Sequence, residues 1–193
     1  MLRRLYDWVI AQASKPWALA WLIAISFIES SVFPIPPDVL MIPMIIAAPR
    51  RAWLIAGVCT LASVAGGGFG WFIGAHLFDA IGLPVLEFYG KADAFDTLAA
   101  SYNEQGFWAV LVAGVTPFPY KVITIFSGAT GLDFWLFMAT SLLARSLRFF
   151  LIAALLWKYG EPIRDFIDRR FGLVATVAIV LLIGGFAVVK WLV

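Results

Sequence analysis

A helix-breaking proline cluster carrying a charge occurs twice in this chain, each time inside apolar sequence. Residues 34–39 read P-I-P-P-D-V, and 83 positions later residues 117–122 read P-F-P-Y-K-V. Pro34 aligns with Pro117, Pro36 with Pro119 and Asp38 with Lys121; Pro37 is an additional breaker in the first copy. Backbone groups freed by a breaker find no water in hydrocarbon, and neither does an ion. Two such breaks at equivalent places predict a repeated broken-helix unit, as in transporters built from internal repeats.

Composition supplies the hydrocarbon. The 193 residues are 63% hydrophobic and only 13% charged, with a mean hydropathy of +0.94. A soluble domain carries about 25% charged residues. The expectation is therefore an all-α polytopic membrane protein, with no nucleic-acid partner. One cysteine, Cys59, and one histidine, His76, leave no internal disulfide and no clustered metal site, and no cofactor is expected. Residues 1–15 read as an amphipathic helix lying at the membrane interface.

The remainder divides by length and polarity. Residues 16–49 and 106–132 each hold two apolar pieces around a proline break. In the first, the pieces are about 17 and 10 residues, against roughly 20 needed for a spanning helix. Both segments are thus expected to be re-entrant hairpins. Full spans are predicted at 52–78, 134–157 and 171–191, a polar outer segment at 79–105 and a charged cytoplasmic loop at 158–170. One crossing separates the hairpins, so they enter from opposite faces and the repeat is inverted. Nine basic residues (Arg3, Arg4, Lys15, Arg50, Arg51, Lys158, Arg164, Arg169, Arg170) fall on one face, and only Lys91 and Lys190 on the other. The positive-inside rule then places the N-terminus in the cytoplasm and the C-terminus outside, in the periplasm for a bacterial inner membrane.

The chemistry lies in five intramembrane charges: Glu29, Asp38, Lys121, Arg145 and Arg148. Each costs about 2.5–3.5 kcal/mol at a helix centre if unpaired. Arg145 and Arg148, three apart, share a helix face. Mutual pairing around a polar cavity, where the hairpin tips meet, is expected. The surplus of positive charge points to an anionic ligand, such as the phosphate head group of a membrane lipid. Arginine suits bidentate phosphate contact, and lysine acts as a point charge. Glu29 and Asp38 are the acids expected to balance the cations and relay protons, with burial and a neighbouring arginine acting on Glu29 in opposite senses. Purely structural ion pairing is the competing account of the same charges.

Gly66, Gly70 and Gly74 form G-x-x-x-G-x-x-x-G in the first full span, a surface for close helix packing. A hairpin is the expected partner, and a second copy of the chain the alternative. Ser127-Gly128 lacks a G-x-S-x-G elbow and a nearby histidine, so transport rather than catalysis is expected.

These features also resemble a family. The order hairpin, span, hairpin, span, the acid before the first proline cluster, and G-V-T-P-F-P-Y-K over Gly114–Lys121 are similar to the DedA family, also called the VTT or SNARE-associated membrane protein family. Gly128-x-x-x-Leu132-x-x-x-x-Phe137 fits its G-x-x-x-L-x-x-x-x-F signature, and Arg145-Ser-Leu-Arg148-Phe-Phe with the short length resembles its YqaA-like branch. The resemblance covers roughly residues 20–160. It implies flipping or scrambling of phospholipids, or recycling of polyprenyl phosphate carriers, driven by the proton-motive force in some members. Glu29 and Asp38 match the family's acids and Lys121 one of its arginines. A second family arginine falls at Val115, and the Glu29-to-Asp38 spacing is shorter than in the better-known branch. A lipid transporter is the leading expectation; an ion-coupled carrier of a small soluble anion and a non-transporting assembly or stability factor are the alternatives.

Overall fold

The computed structural model describes residues 17–32, 36–88, 90, 92–116 and 118–169. The expected interfacial helix at 1–15, the expected span at 171–191, Pro34 and Pro117 lie outside the described residues.

Helices flank both breaks. Helix α1 (Ala18–Ser31) and α2 (Asp38–Ala47) surround the first. A 3-10 turn at Pro49–Arg51 then leads into α3 (Ala52–Leu77). After a π turn at Phe78–Gly82 come α4 (Leu83–Phe88) and α5 (Ala92–Glu104). Helices α6 (Gly106–Val115) and α7 (Tyr120–Ala129) surround the second break, and α8 (Phe134–Arg169) follows. Among the described residues there are no strands.

Lengths separate two kinds of helix. The 14-residue α1 and the 10-residue α2, α6 and α7 rise about 15–21 Å each, short of the ~30 Å hydrocarbon core. Two apolar helical stretches, Pro49–Ala80 and Phe134–Gly160, are long enough to cross a membrane. Their outer faces carry exposed Leu61, Phe69, Trp135, Leu147 and Leu151, as a surface facing acyl chains requires.

The short helices end for local reasons. Pro37 precedes α2 at φ −63°, ψ −20°, already helical, and its missing N–H is tolerated at a helix start. Thr116 leaves α6 at φ −78°, ψ 169°, and Pro119 enters α7 at φ −62°, ψ 100°. Neither Pro117 nor Pro119 has an N–H to offer the last carbonyls of α6.

The packing exchanges arms between the two halves. Helix α1 lies on α3 and α6 on α8, each first arm on the span of its own half. Helix α7 lies on α3 and α2 on α8, each second arm on the span of the other half. The spans α3 and α8 pack against each other. Leu22, Met41, Ile45, Ile55 and Phe149 form the buried apolar centre of one side, drawn from α1, α2, α3 and α8.

The glycine stripe of α3 makes this possible. A Cβ at Gly66 would strike the Phe27 backbone of α1, and one at Gly74 the Ile125 carbonyl of α7. Gly70 sits against the Thr124 side chain of α7 and the Ser30 carbonyl of α1. From the other side, a Cβ at Gly128 would strike the Trp71 carbonyl of α3. Two half-length helices thus reach the backbone of one span. Thr124 closes the joint by donating to the Ser30 carbonyl at 2.9 Å.

Residues 79–105 contain α4 and the polar-faced α5. Phe95 of α5 lies between Phe78 and Phe126, with ring centroids at 4.4 and 6.1 Å, and Tyr102 meets Phe126 edge-on at 4.9 Å. Tyr102 and Ser127 hydroxyls bond at 2.8 Å, and Asn103 donates to the Thr130 carbonyl at 2.7 Å. Helix α5 is therefore anchored on the end of α7. Residues 158–170, expected as a loop, are instead helical as far as Arg169. The helix bends at Tyr159, φ −122°, ψ 20°. Pro162 explains the bend, because it can neither donate to nor make room for the Lys158 carbonyl four positions back.

Candidate ion-pair site between the two broken units

Four of the five expected charges come together as two ion pairs, both made by α8. Arg145 Nη2 lies 3.4 Å from Glu29 Oε2 on α1. Arg148 Nη2 lies 2.6 Å from Asp38 Oδ2 in the first turn of α2. Being three apart, the two arginines project from one face of α8. Each takes an acid from a different arm of the first unit.

The Arg145 side is closed. This residue is 2% exposed. Its guanidinium sits 4.6 Å from the Tyr120 ring centre and 4.5 Å from that of Phe149, between two aromatic faces. Its Nε donates to Ser63 Oγ at 2.7 Å. Ser63 bonds Ser30 Oγ at 2.7 Å, and Ser30 donates to Glu29 Oε2 at 3.2 Å and to the Ser26 carbonyl at 2.9 Å. The charge is thus held by a carboxylate, hydroxyls and two π faces, which together replace its hydration.

The Arg148 side is more open, with both partners' side chains about one-sixth exposed. Arg148 Nη1 donates at 2.6 Å to the carbonyl of Thr116. That carbonyl is available because the second break takes Thr116 out of the helix. Arg148 therefore ties the two breaks to each other, one through a side chain and one through the backbone. The arrangement leaves Asp38 Oδ1 and Arg148 Nε buried with no hydrogen-bond partner among the described residues.

Lys121 is not in either pair. It lies partly buried in the first turn of α7, and among the described residues it forms no ion pair. The sequence match of Asp38 with Lys121 left open a contact between them; Asp38 instead takes Arg148, because α2 packs on α8. With two acids matched to two arginines, Lys121 carries the positive surplus of the group. Pro36, Pro37 and Pro119 lie at the breaks, as expected. Thr116, Ser63, Ser30, Tyr120 and Phe149 escaped the sequence reading, since none is charged. Thr116 and Tyr120 lie inside G-V-T-P-F-P-Y-K and Phe149 inside Arg145-Ser-Leu-Arg148-Phe-Phe, whereas Ser30 and Ser63 had no local signal.

Two long apolar helices, four short ones stopped at paired breaks, and ions matched between them make this a helical membrane protein. The chain belongs to the VTT-domain, or DedA, family: the VTT domain matches residues 35–158. That family is generally linked to membrane transport or membrane function. The chain is 32% identical over 186 residues to an uncharacterized protein of Haemophilus influenzae, covering 96% of each. It is 36% identical over 180 residues to an uncharacterized protein of Histophilus somni, covering 91% of this chain and 94% of that one. No solved structure matches.

Proposed function

We propose that this protein transports a lipid bearing a phosphate head group across the bacterial inner membrane, in the manner of a flippase or scramblase. In this reading α1–α2 and α6–α7 are re-entrant hairpins of an inverted repeat, entering from opposite faces, and residues 1–15 face the cytoplasm. The work is transport rather than catalysis. The Arg145–Phe150 run and the short chain favour the YqaA-like branch.

The supporting observation is the bridge made by Arg148, which touches Asp38 and the Thr116 carbonyl together, both at 2.6 Å. An arginine held by one carboxylate oxygen and a carbonyl can exchange them for a phosphate, which offers oxygens in the same fork geometry. Displacing Asp38 and Thr116 releases both breaks at once. Lys121, the surplus cation, lies on the arm that follows the second break and adds charge for the incoming anion. Arg145 and Glu29 act as the buried frame, and Asp38 is the acid that Arg148 releases when it takes the phosphate.

The test is reconstitution of the purified protein in liposomes with labelled lipids, with and without a pH gradient. Transbilayer movement of phosphate-bearing lipids, lost in Arg148→Ala, supports the reading. Movement equal to protein-free liposomes under both conditions overturns it.

A further inference from the structure

We propose a second lipid site, separate from the ion pairs: a groove between α3 and α8, near Arg50 and Arg51, that retains an anionic phospholipid. Three observations place it. Trp53 of α3 stacks on Phe150 of α8 at 6.1 Å between ring centres and meets Trp157 at 6.2 Å. Trp53 is 46% exposed and Trp157 55%, so this aromatic wall faces outward. Below it on α3 comes Gly57, one turn further on; a Cβ there would reach only Phe150 Cζ, at 3.9 Å. The missing side chain leaves a notch along the seam, continued one turn on by exposed Leu61.

Cations flank the mouth. Arg50 and Arg51 lie in the 3-10 turn just before Trp53, and that turn packs against α8. Lys158 follows Trp157 and lies over the Tyr159 ring at 5.3 Å. All three are exposed, and among the described residues none forms an ion pair. Basic residues at the end of two spans, above an aromatic-lined apolar notch, complement a lipid whose phosphate is charged and whose head group is not cationic. The acyl chain lies on Gly57 and Leu61, and the phosphate meets Arg50, Arg51 and Lys158.

The full chain, purified in detergent, would be offered equal amounts of phosphatidylglycerol and phosphatidylcholine and weighed by native mass spectrometry. The wild type should retain phosphatidylglycerol in preference. Each of Arg50→Gln, Arg51→Gln and Lys158→Gln should weaken that retention about fivefold. Gly57→Leu, which fills the notch, should lower retention of both lipids. Equal retention of the two lipids by the wild type overturns the proposal without recourse to any variant. So does a lipid-free dimer, in which a second copy covers the groove, or a preference that survives all three neutralisations together.

Discussion

Asp38 and Arg148, 110 positions apart, meet at 2.6 Å because the second arm of each half lies on the span of the other. The contact joins the start of α2 to the middle of α8. A carboxylate in the first turn of a helix also faces the positive end of that helix, so the α2 dipole and the arginine attract Asp38 together.

This pairing should appear as coupling. Arg148→Ala leaves the Asp38 carboxylate uncompensated and should cost about 3 kcal/mol. A double-mutant cycle of Asp38→Asn with Arg148→Gln, read from unfolding in detergent, should give a coupling of about 1–3 kcal/mol. The same cycle with Lys121→Gln in place of Arg148→Gln should be additive. Coupling in the second cycle and none in the first would mean that Asp38 belongs to Lys121.

The two arginines should also differ in function. Arg145 is sealed between Tyr120 and Phe149, whereas Arg148 spans the breaks. Arg148→Lys keeps a charge but loses the fork, so transport should recover only in part. Ser63→Ala removes the acceptor of Arg145 Nε and should lower stability by about 1–3 kcal/mol, with transport by the surviving folded protein unchanged. Full transport by Arg148→Ala in liposomes would refute the assignment.

Glycine substitutions should rank by what a Cβ meets. Gly74→Ala and Gly128→Ala bring a methyl onto backbone of the facing helix, which can move only by opening the α3–α7 seam. Each should lower stability by about 1–3 kcal/mol. Gly57→Ala meets only a ring edge at 3.9 Å and should be near neutral. Equal midpoints for all three in a detergent melt would contradict the seam.

Alkaline pH should loosen α5. Burial raises the Tyr102 hydroxyl above its ordinary value of 10.0, and the Ser127 bond offsets only part of that rise. A group raised on folding contributes stability that is fully present below its unfolded value and is lost as pH climbs through the folded one. Protease cleavage within 92–104 should therefore accelerate above pH 10.0, and Tyr102→Phe should remove that acceleration. A Tyr102→Phe profile parallel to wild type would place the transition elsewhere.

Hairpins and crossings are separated by access. With Cys59 replaced by Ala, single cysteines at Ile35 and Phe118 should react slowly with membrane-impermeant thiol reagents from either side. Free labelling at Ile35 from the periplasm would make 16–49 a pair of crossings and end the inverted repeat.

The breaks, the charged positions and the glycine stripe were legible because hydrocarbon tolerates each of them only for a reason. Proline, Asp38 and Arg148 stand out against apolar neighbours. The partner of each charge was not legible, because it depends on which arm lies on which span, and no local pattern encodes that exchange. The role of Thr116 was hidden for a different reason: it acts through its carbonyl, which every residue has. Residues 158–169 were misread because charge density resembles a loop, although charge is equally at home on a helix that has left the apolar layer.

The exchange of arms also sets a timetable for synthesis. Asp38 leaves the ribosome with no cation to meet until Arg148 follows, 110 residues later. At the usual pace of translation that is about 5–20 s. Through that interval the α2 arm has neither its counter-ion nor the α8 surface it rests on, and Gly74 awaits α7. The insertion machinery must shelter a half-built bundle until α8 arrives, so a chain truncated before α8 would be a substrate for membrane quality control.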